Sequence, residues 1–363
     1  MEKKMQIVAL APSRRLLGVP GYGKGRAGQA QFFRHRLGSN EAPDGPSLAV
    51  RLAAAEAFAD AQHYPDLRGE TLTAALAERH GVTADMIAVS AGSIVLLDQL
   101  IRAWCDPGDE VVAPWRSYEA YPIIIGVSGA SLVEVPLDID HRLCADKLVW
   151  AIGPRCRVVL ICNPNNPTST ELPPEAIDEL IATIPSHVLV VLDEAYADYA
   201  ANAQTVAESP RGRLERHPNL VVLRTFSKAW GLAGMRVGYC VAATPIIAAI
   251  QSVAPPFPLP GPALAAALAT LAEPEIVAAR VARNAAERTR MSEGLAEAGL
   301  PTAKSAANFV WLPVKDRAEA LTKHLSTAAI AVRCFAGEGV RITTGTEADT
   351  DALLESAAGW RPS

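Results

Sequence analysis

Leu220-Val-Val-Leu-Arg-Thr-Phe-Ser-Lys-Ala-Trp-Gly-Leu-Ala-Gly-Met-Arg-Val-Gly-Tyr239 is the stretch from which the rest of this 363-residue chain is read. An apolar, strand-like run at 220–223 delivers Lys228 into a small loop punctuated by Gly231 and Gly234. Thr225 and Ser227 flank the lysine, and Arg236 follows it closely. Hydroxyls and a guanidinium suit an anion such as a phosphate. An amine beside that anion suits a covalent adduct with an aldehyde. A lone lysine is ordinarily a solvated surface charge, so this reading needs matching groups elsewhere in the chain.

The totals narrow the choice. The length exceeds the usual limit of one core, so two structural domains are expected. Apolar residues make up 50% and charged residues 20%, as in ordinary globular chains. A net charge of −5 gives no electrostatic reason to expect nucleic acid or a membrane surface as partner. No apolar run approaches the ~20 residues that cross a bilayer. Residues 1–12 loosely mimic a secretory leader, but Arg14 and Arg15 stand where small residues would be cleaved. They read as a poorly ordered start of a cytoplasmic protein. The six cysteines form no Cys-x-x-Cys pair and the seven histidines show no ligand spacing, so neither a disulfide framework nor a metal site is expected.

Residues 1–45 are rich in glycine, proline and arginine and read as an extended arm. Gly23-Lys-Gly-Arg-Ala-Gly28 and Gly18-Val-Pro-Gly-Tyr-Gly-Lys24 mimic nucleotide-binding loops there. Neither follows a strand nor opens a helix, so both are set aside. From 46 to 254 helical and strand patterns alternate. Helices are expected at 47–58, 71–80 with Gly81 as C-cap, 94–104, 118–126 and 174–184. Strands are expected at 87–89, 110–113, 132–135, 157–161, 187–192, 220–223 and 237–241. Near-continuous apolar strands between helices imply a mainly parallel sheet covered on both faces, an α/β architecture. Ligands of such sheets bind beyond the carboxyl ends of the strands, where polar clusters follow residues 89, 113, 161, 192 and 223. Pro255-Pro-Phe-Pro-Leu-Pro260 marks a junction. Beyond it, residues 255–363 read as a smaller α+β domain, with a long helix at 273–298, strands at 308–312, 331–333 and 339–343, and a closing helix at 347–360.

The groups at those strand ends suit pyridoxal phosphate, which needs a lysine, an acid facing the pyridine nitrogen, a phosphate cradle and a ring clamp. Asp193 ends a buried-looking strand, where a carboxylate is costly unless a positive partner meets it; a pyridinium nitrogen is such a partner. Tyr196 and Asn166 are placed to bond the ring oxygen, and Tyr118 to stack on the ring. Gly92, Ser93 and Ile94 open a helix, whose N–H groups and dipole attract phosphate. Arg341 and Arg333 are candidates for substrate carboxylate and distal group. Each alone has a bland reading as cap, turn, core aromatic or surface charge; the joint occurrence in order carries the argument.

That pattern resembles the fold-type I pyridoxal-phosphate aminotransferases, specifically the histidinol-phosphate aminotransferase-like group, from about Leu37 to the C-terminus. Its motifs are Leu37-Gly-Ser-Asn-Glu41, Tyr64-Pro-Asp66, Asn163-Pro-Asn-Asn-Pro-Thr168, Leu192-Asp-Glu-Ala-Tyr196, Thr225-Phe-Ser-Lys-Ala229 and Gly231-Leu-Ala-Gly234. The resemblance implies that Lys228 forms the Schiff base and moves the proton, and that Asp193 holds the pyridine nitrogen. It implies that Asn166 and Tyr196 hold the ring oxygen, that Tyr118 stacks, and that Thr225, Ser227, Arg236 and the 92–94 backbone hold the phosphate. Tyr64 would reach the phosphate of a neighbouring subunit in a homodimer. Arg341, Arg333 and Asn40 would bind substrate. Pro114-Trp-Arg-Ser-Tyr-Glu-Ala-Tyr-Pro122 and Val332-Arg-Cys-Phe-Ala-Gly-Glu-Gly339 look like the actinobacterial aromatic-amino-acid aminotransferases, near relatives of the histidinol-phosphate enzymes.

The implied activity is ping-pong transamination between an aromatic amino acid or histidinol phosphate and a 2-oxo acid such as 2-oxoglutarate. A pyridoxal-dependent decarboxylase or lyase is the rival on the same fold, and a non-catalytic binding protein the rival from another class. Four positions depart from the family pattern: Ser169 replaces a turn glycine and is expected to change the local backbone, Ile94 replaces an acid, Ala42-Pro43-Asp44 replaces an Asn-Pro-aromatic run, and Cys334 stands where proline is frequent.

Overall fold

The near-continuous apolar runs become the strands of one seven-stranded sheet. A computed structural model describes residues 13–16, 18–21, 33–200 and 209–361. The motif Gly23–Gly28 lies outside those residues, as do residues 1–12 and the part of the other glycine-rich motif from 22 to 24. In chain order the strands are β1 (His35–Arg36), β2 (Ile87–Ser90), β3 (Glu110–Trp115), β4 (Ser131–Pro136), β5 (Cys156–Cys162), β6 (Leu189–Asp193), β7 (Leu220–Thr225), β8 (Gly238–Ala242), β9 (Phe309–Leu312), β10 (Ile330–Ala331), β11 (Arg333–Phe335) and β12 (Gly339–Thr343). The large sheet has the order β2-β8-β7-β6-β5-β3-β4. Strands β3 to β7 are mutually parallel, and β8 alone runs against them, between β7 and β2. The ends at Ser90, Trp115, Cys162, Asp193 and Thr225 therefore share one edge.

Alternation along each strand explains the double cover. Val112, Val159, Ile161, Val190, Leu192, Val222 and Val241 enter one apolar cluster. Their neighbours Val111, Val158, Leu160, Leu189, Val191, Val221 and Cys240 enter another. Successive side chains of a strand point to opposite faces, so each face needs its own layer of helices. The helix Ser93–Trp104 covers one with Leu96, Leu97, Leu100 and Ile101. The helices Glu70–His80 and Pro174–Thr183 contribute to the other. A third cluster joins the end of the long helix Pro274–Glu297 to the antiparallel sheet β11-β12-β9 and the helices Ala318–Thr327 and Glu347–Ala358. The expected α/β architecture, with a smaller α+β unit, is the one observed.

Local signals set several boundaries. Ser47 caps the helix Leu48–Phe58 by accepting from the Val50 N–H. Gly81 closes the helix Glu70–His80 in the left-handed conformation. Thr346 and Asp349 form a reciprocal capping box.

Other expectations shift. The helix expected from 118 begins at Tyr121, which leaves Tyr118 and Glu119 in a loop. The strand expected at 331–333 divides in two, because Ile330 and Ala331 pair with the arm residues His35 and Arg36 while Arg333 begins a hairpin. Gly261–Leu271 is a helix that apolar composition without periodicity concealed. It follows the proline-rich junction, yet Ala263, Leu264, Ala266 and Ala267 sit in the cluster of the large sheet. Ser169 sits in the left-handed region, where glycine is the usual residue. It takes φ 60°, as a glycine would, held by its N–H on the Asn165 carbonyl and its own carbonyl under the Ala306 N–H, both at 2.8 Å.

Behind the shared strand edge, Glu194 accepts from Arg224 Nε at 2.9 Å and from Nη2 at 2.7 Å, with both side chains buried. This pair ties the end of β6 to the end of β7. Substituting Glu194→Gln is expected to cost roughly 3 kcal/mol, because removing one partner leaves a buried guanidinium undercompensated. Denaturant unfolding measures it, and a loss below about 1 kcal/mol would refute a structural role for the pair.

Candidate active site

The strand ends and the lysine loop enclose a cavity of about 200 Å³. Ser39, Asn40, Ser93, Ile94, Tyr118, Cys162, Asn166, Asp193, Ala195, Tyr196, Thr225, Ser227, Lys228, Arg236 and Arg341 line it. Residues from seven separate segments of the chain thus meet where the sheet geometry requires.

Lys228 donates to the Asn40 carbonyl at 3.1 Å and to the Ser39 carbonyl at 3.4 Å. Burial lowers its pKa to about 7, with the guanidiniums of Arg341 and Arg236 acting in the same direction against Glu41 and Asp193. A lysine so placed is a free amine near neutrality, which is what nucleophilic attack on an aldehyde requires. The loop around it is held from behind by Arg280, a buried residue of the long helix that donates to the Ala229 carbonyl at 2.6 Å.

Asp193 is 8% exposed. Burial raises its pKa, while hydrogen bonds from the Tyr121 hydroxyl at 2.7 Å and the Ala195 N–H at 3.1 Å work against that rise. A carboxylate with fixed donors and little water is positioned to hold a cationic ring nitrogen. Tyr196 accepts from Asn40 Nδ2 at 2.9 Å and meets the Phe309 ring edge-on at 5.0 Å. Asn166 Oδ1 accepts from Arg341, whose Nη2 also donates to the Gly38 carbonyl at 2.8 Å. The ring of Tyr118 lines the cavity and meets Tyr121 edge-on at 5.6 Å.

The phosphate end is shaped by what is missing from the backbone. A Cβ on Gly92 would lie 2.5 Å from Arg236 Nη2, and one on Gly238 would collide with the Ser93 nitrogen. Gly92 makes room for Arg236, and Gly238 lets the start of the helix Ser93–Trp104 approach the beginning of β8. No side chain caps that start and its first turn carries no acid. Arg236 itself adopts φ 57° and donates to Ser227 Oγ at 3.2 Å. Thr225 Oγ1 accepts from the Ser227 N–H at 3.1 Å. A helix N-terminus, a guanidinium and two hydroxyls around glycine-made space fit a dianionic phosphate. With the amine and the buried acid, the set fits pyridoxal phosphate.

The structure brings together all the expected cofactor residues except two. Gly92 lies against Arg236 instead of on the cavity wall. Tyr64 stands apart, 82% exposed and stacked on Phe257 at 4.5 Å. Of the expected substrate residues, Arg341 and Asn40 line the cavity, whereas Arg333 is engaged beside it by Glu119. Sequence reasoning did not find Tyr121 or Arg280. Tyr121 lies three residues beyond Tyr118 in an apolar helix, where nothing sets it apart from a core aromatic; nothing local marks Arg280. Asp44, one of the departures, ion-pairs with Arg283 and stands 3.8 Å from Arg280 Nε.

The sequence profile of aminotransferase class I and II matches residues 35–356. The chain belongs to that family. Among relatives of this aminotransferase, the aromatic amino acid aminotransferase of Rhodococcus jostii (strain RHA1) is 44% identical over 89% of each chain. That of Thermobifida fusca (strain YX) is 43% identical over 93% of this chain and 94% of its own. A crystal structure of histidinol-phosphate aminotransferase from Sinorhizobium meliloti, in complex with pyridoxal-5'-phosphate, superposes with a TM-score of 0.89 at 31% identity. It covers 96% of this chain and 98% of that one. The protein is therefore a pyridoxal-phosphate-dependent transaminase with the fold of its family. The relatives named are aminotransferases, so the decarboxylase or lyase reading is not favoured.

Capture of pyridoxal phosphate by the cofactor-free protein needs the neutral amine of Lys228. Its rate is expected to rise with pH about a midpoint near 7, not near the 10.5 of ordinary lysine. The visible absorbance of the bound cofactor follows it. A rate still climbing about tenfold per pH unit above pH 9 would contradict the lowered pKa. Lys228→Ala is expected to lose both absorbance and turnover.

Proposed function

We propose that the enzyme transfers amino groups from aromatic amino acids to a 2-oxo acid such as 2-oxoglutarate, by a ping-pong route. The observation carrying this reading is the convergence of a lysine amine, a buried carboxylate and a guanidinium on one cavity. The identity to aromatic amino acid aminotransferases supports the donor class. Histidinol phosphate is the second reading, supported by the fold neighbour from Sinorhizobium meliloti.

When bound, pyridoxal phosphate supplies an electrophilic aldehyde carbon and an electron-withdrawing ring. Lys228 Nζ would hold the aldehyde carbon until the substrate amine takes its place; once freed, it would take the proton from the substrate α-carbon and return one. Asp193, steadied by Tyr121, would keep the ring nitrogen protonated. Asn166 and Tyr196 would hold the ring oxygen and Tyr118 would cover the ring face. Ser93, Ile94, Thr225, Ser227 and Arg236, with Gly92 giving room, would hold the phosphate. Arg341 takes the substrate α-carboxylate in its two-pronged fork, with Asn40 closing the same wall.

The reading includes a homodimer in cytoplasm. Leu48, Leu52, Phe58, Leu67 and Tyr64 are exposed by half or more and cluster between the first helix and residue 67. An apolar patch of that kind suits a subunit interface, and Tyr64 would cross it to the partner's phosphate. Of the expected division into 46–254 and a smaller unit of the arm 1–45 with 255–363, two described parts lie on the large unit instead: Val19 of the arm sits against Gly126, and Gly261–Leu271 rests on the large core.

A donor panel decides the substrate: phenylalanine and tyrosine should exceed histidinol phosphate in kcat/KM, and the reverse order would overturn the aromatic reading. Tyr64→Phe should weaken cofactor retention about tenfold, the worth of one hydrogen bond to a charged group. Unchanged retention, measured by dilution at fixed dimer content, would place Tyr64 outside the site.

A further inference from the structure

We propose that Glu119 selects the substrate class at the far end of the cavity by neutralising Arg333. The proposal rests on the aminotransferase reading of the site. Arg333 and Arg341 are opposite residues of the antiparallel pair β11 and β12. Opposite residues of such a pair leave the same face of the sheet. Arg341 enters the cavity, so Arg333 stands beside it as a second cation. Glu119 directly follows Tyr118, the ring that lines the cavity.

Arg333 Nε donates to Glu119 Oε2 at 3.0 Å, and its Nη2 donates to Oε1. The fork is thus filled by a carboxylate of the protein itself. Both side chains are largely covered, at 18% and 22% exposure, which limits screening by water. The guanidinium also lies over the Phe335 ring at 5.6 Å. A substrate ending in phosphate or a second carboxylate has to displace Glu119 and leave that carboxylate next to its own charge. An uncharged aromatic end meets no such penalty. Glu119 therefore acts through Arg333, as a positioning residue that discriminates against distal anions.

A second ion pair makes this testable without disturbing the loop. Arg116 Nε donates to both carboxylate oxygens of Glu338, at 3.1 and 3.0 Å, and its guanidinium lies over the same Phe335 ring at 5.6 Å. The loop after β3 and the β11–β12 hairpin are thus joined twice, with charges exchanged in opposite senses. Removing the charge of Glu119 leaves the other connection in place.

The experiment compares the holoenzyme with Glu119→Gln, using phenylalanine, histidinol phosphate and 2-oxoglutarate. In a ping-pong scheme, kcat/KM for each substrate reports its own half-reaction. Expected is a rise of about tenfold for both anionic substrates, mainly through KM. Phenylalanine should stay within about threefold, the usual spread for a substitution away from the reacting groups. The double variant Glu119→Gln/Arg333→Gln should lose the gain, and Glu119→Ser should reproduce it. Anionic substrates unchanged, or all three substrates falling together, would overturn the proposal. The ratio of variant to wild type decides the matter even if the wild type prefers histidinol phosphate, an outcome that would sink the aromatic reading alone.

Discussion

The buried ion pair of Glu194 with Arg224 is the interaction on which the site depends. Glu194 follows Asp193, and Arg224 precedes Thr225, so the pair fixes the two strand ends that carry the acid and the lysine loop. Two charges removed from water hold only with good geometry; here the guanidinium meets the carboxylate through two nitrogens. Burial that would be ruinous for either charge alone becomes a rigid brace one residue behind the reacting groups. Along the same edge, Asp193 remains costly to bury, and Tyr121, the Ala195 N–H and, more weakly, the charge of Lys228 offset part of that cost.

Lys228 illustrates how a fold changes the chemistry of an ordinary side chain. Its amine is lowered to about 7 by the same enclosure that excludes water from the cavity. The neighbouring guanidiniums that bind anions add to the effect. Groups gathered for phosphate and carboxylate therefore also make the lysine a nucleophile at neutral pH. The carbonyls of Ser39 and Asn40 that receive its hydrogen bonds come from the arm, which is itself anchored by the short pairing of β1 with β10.

Much of this was legible in the sequence, for a physical reason. Parallel strands buried on both faces leave long apolar runs, and their carboxyl ends announce themselves as polar residues after those runs. Asp193, Asn166 and Lys228 were found that way. What escaped was set by contacts between residues far apart in the chain. Arg280 reaches the lysine loop from a helix whose own pattern is merely amphipathic. Arg333 stands out as a substrate candidate, but its partner Glu119, 214 positions away, is not unusual in its own segment. The helix Gly261–Leu271 escaped because it is apolar on nearly every face, and Ala145–Trp150 because six residues are too few for periodicity. At Ser169 two backbone hydrogen bonds hold a non-glycine residue in the left-handed region, which a local reading of the sequence could not supply.

Gly92 and Gly238 make the cofactor end a space bounded by main chain: a side chain on Gly92 would meet Arg236, and one on Gly238 the backbone of Gly92 and Ser93. No single substitution can reshape such a space without moving the sheet edge behind it. Beside the other end, Glu119, Arg333 and Phe335 are held to one another by side-chain contacts alone. One half of the cavity is therefore locked against drift, while the other can be rewritten one residue at a time. A lineage of such enzymes would keep its chemistry and explore new amino donors, through changes confined to a loop and a hairpin.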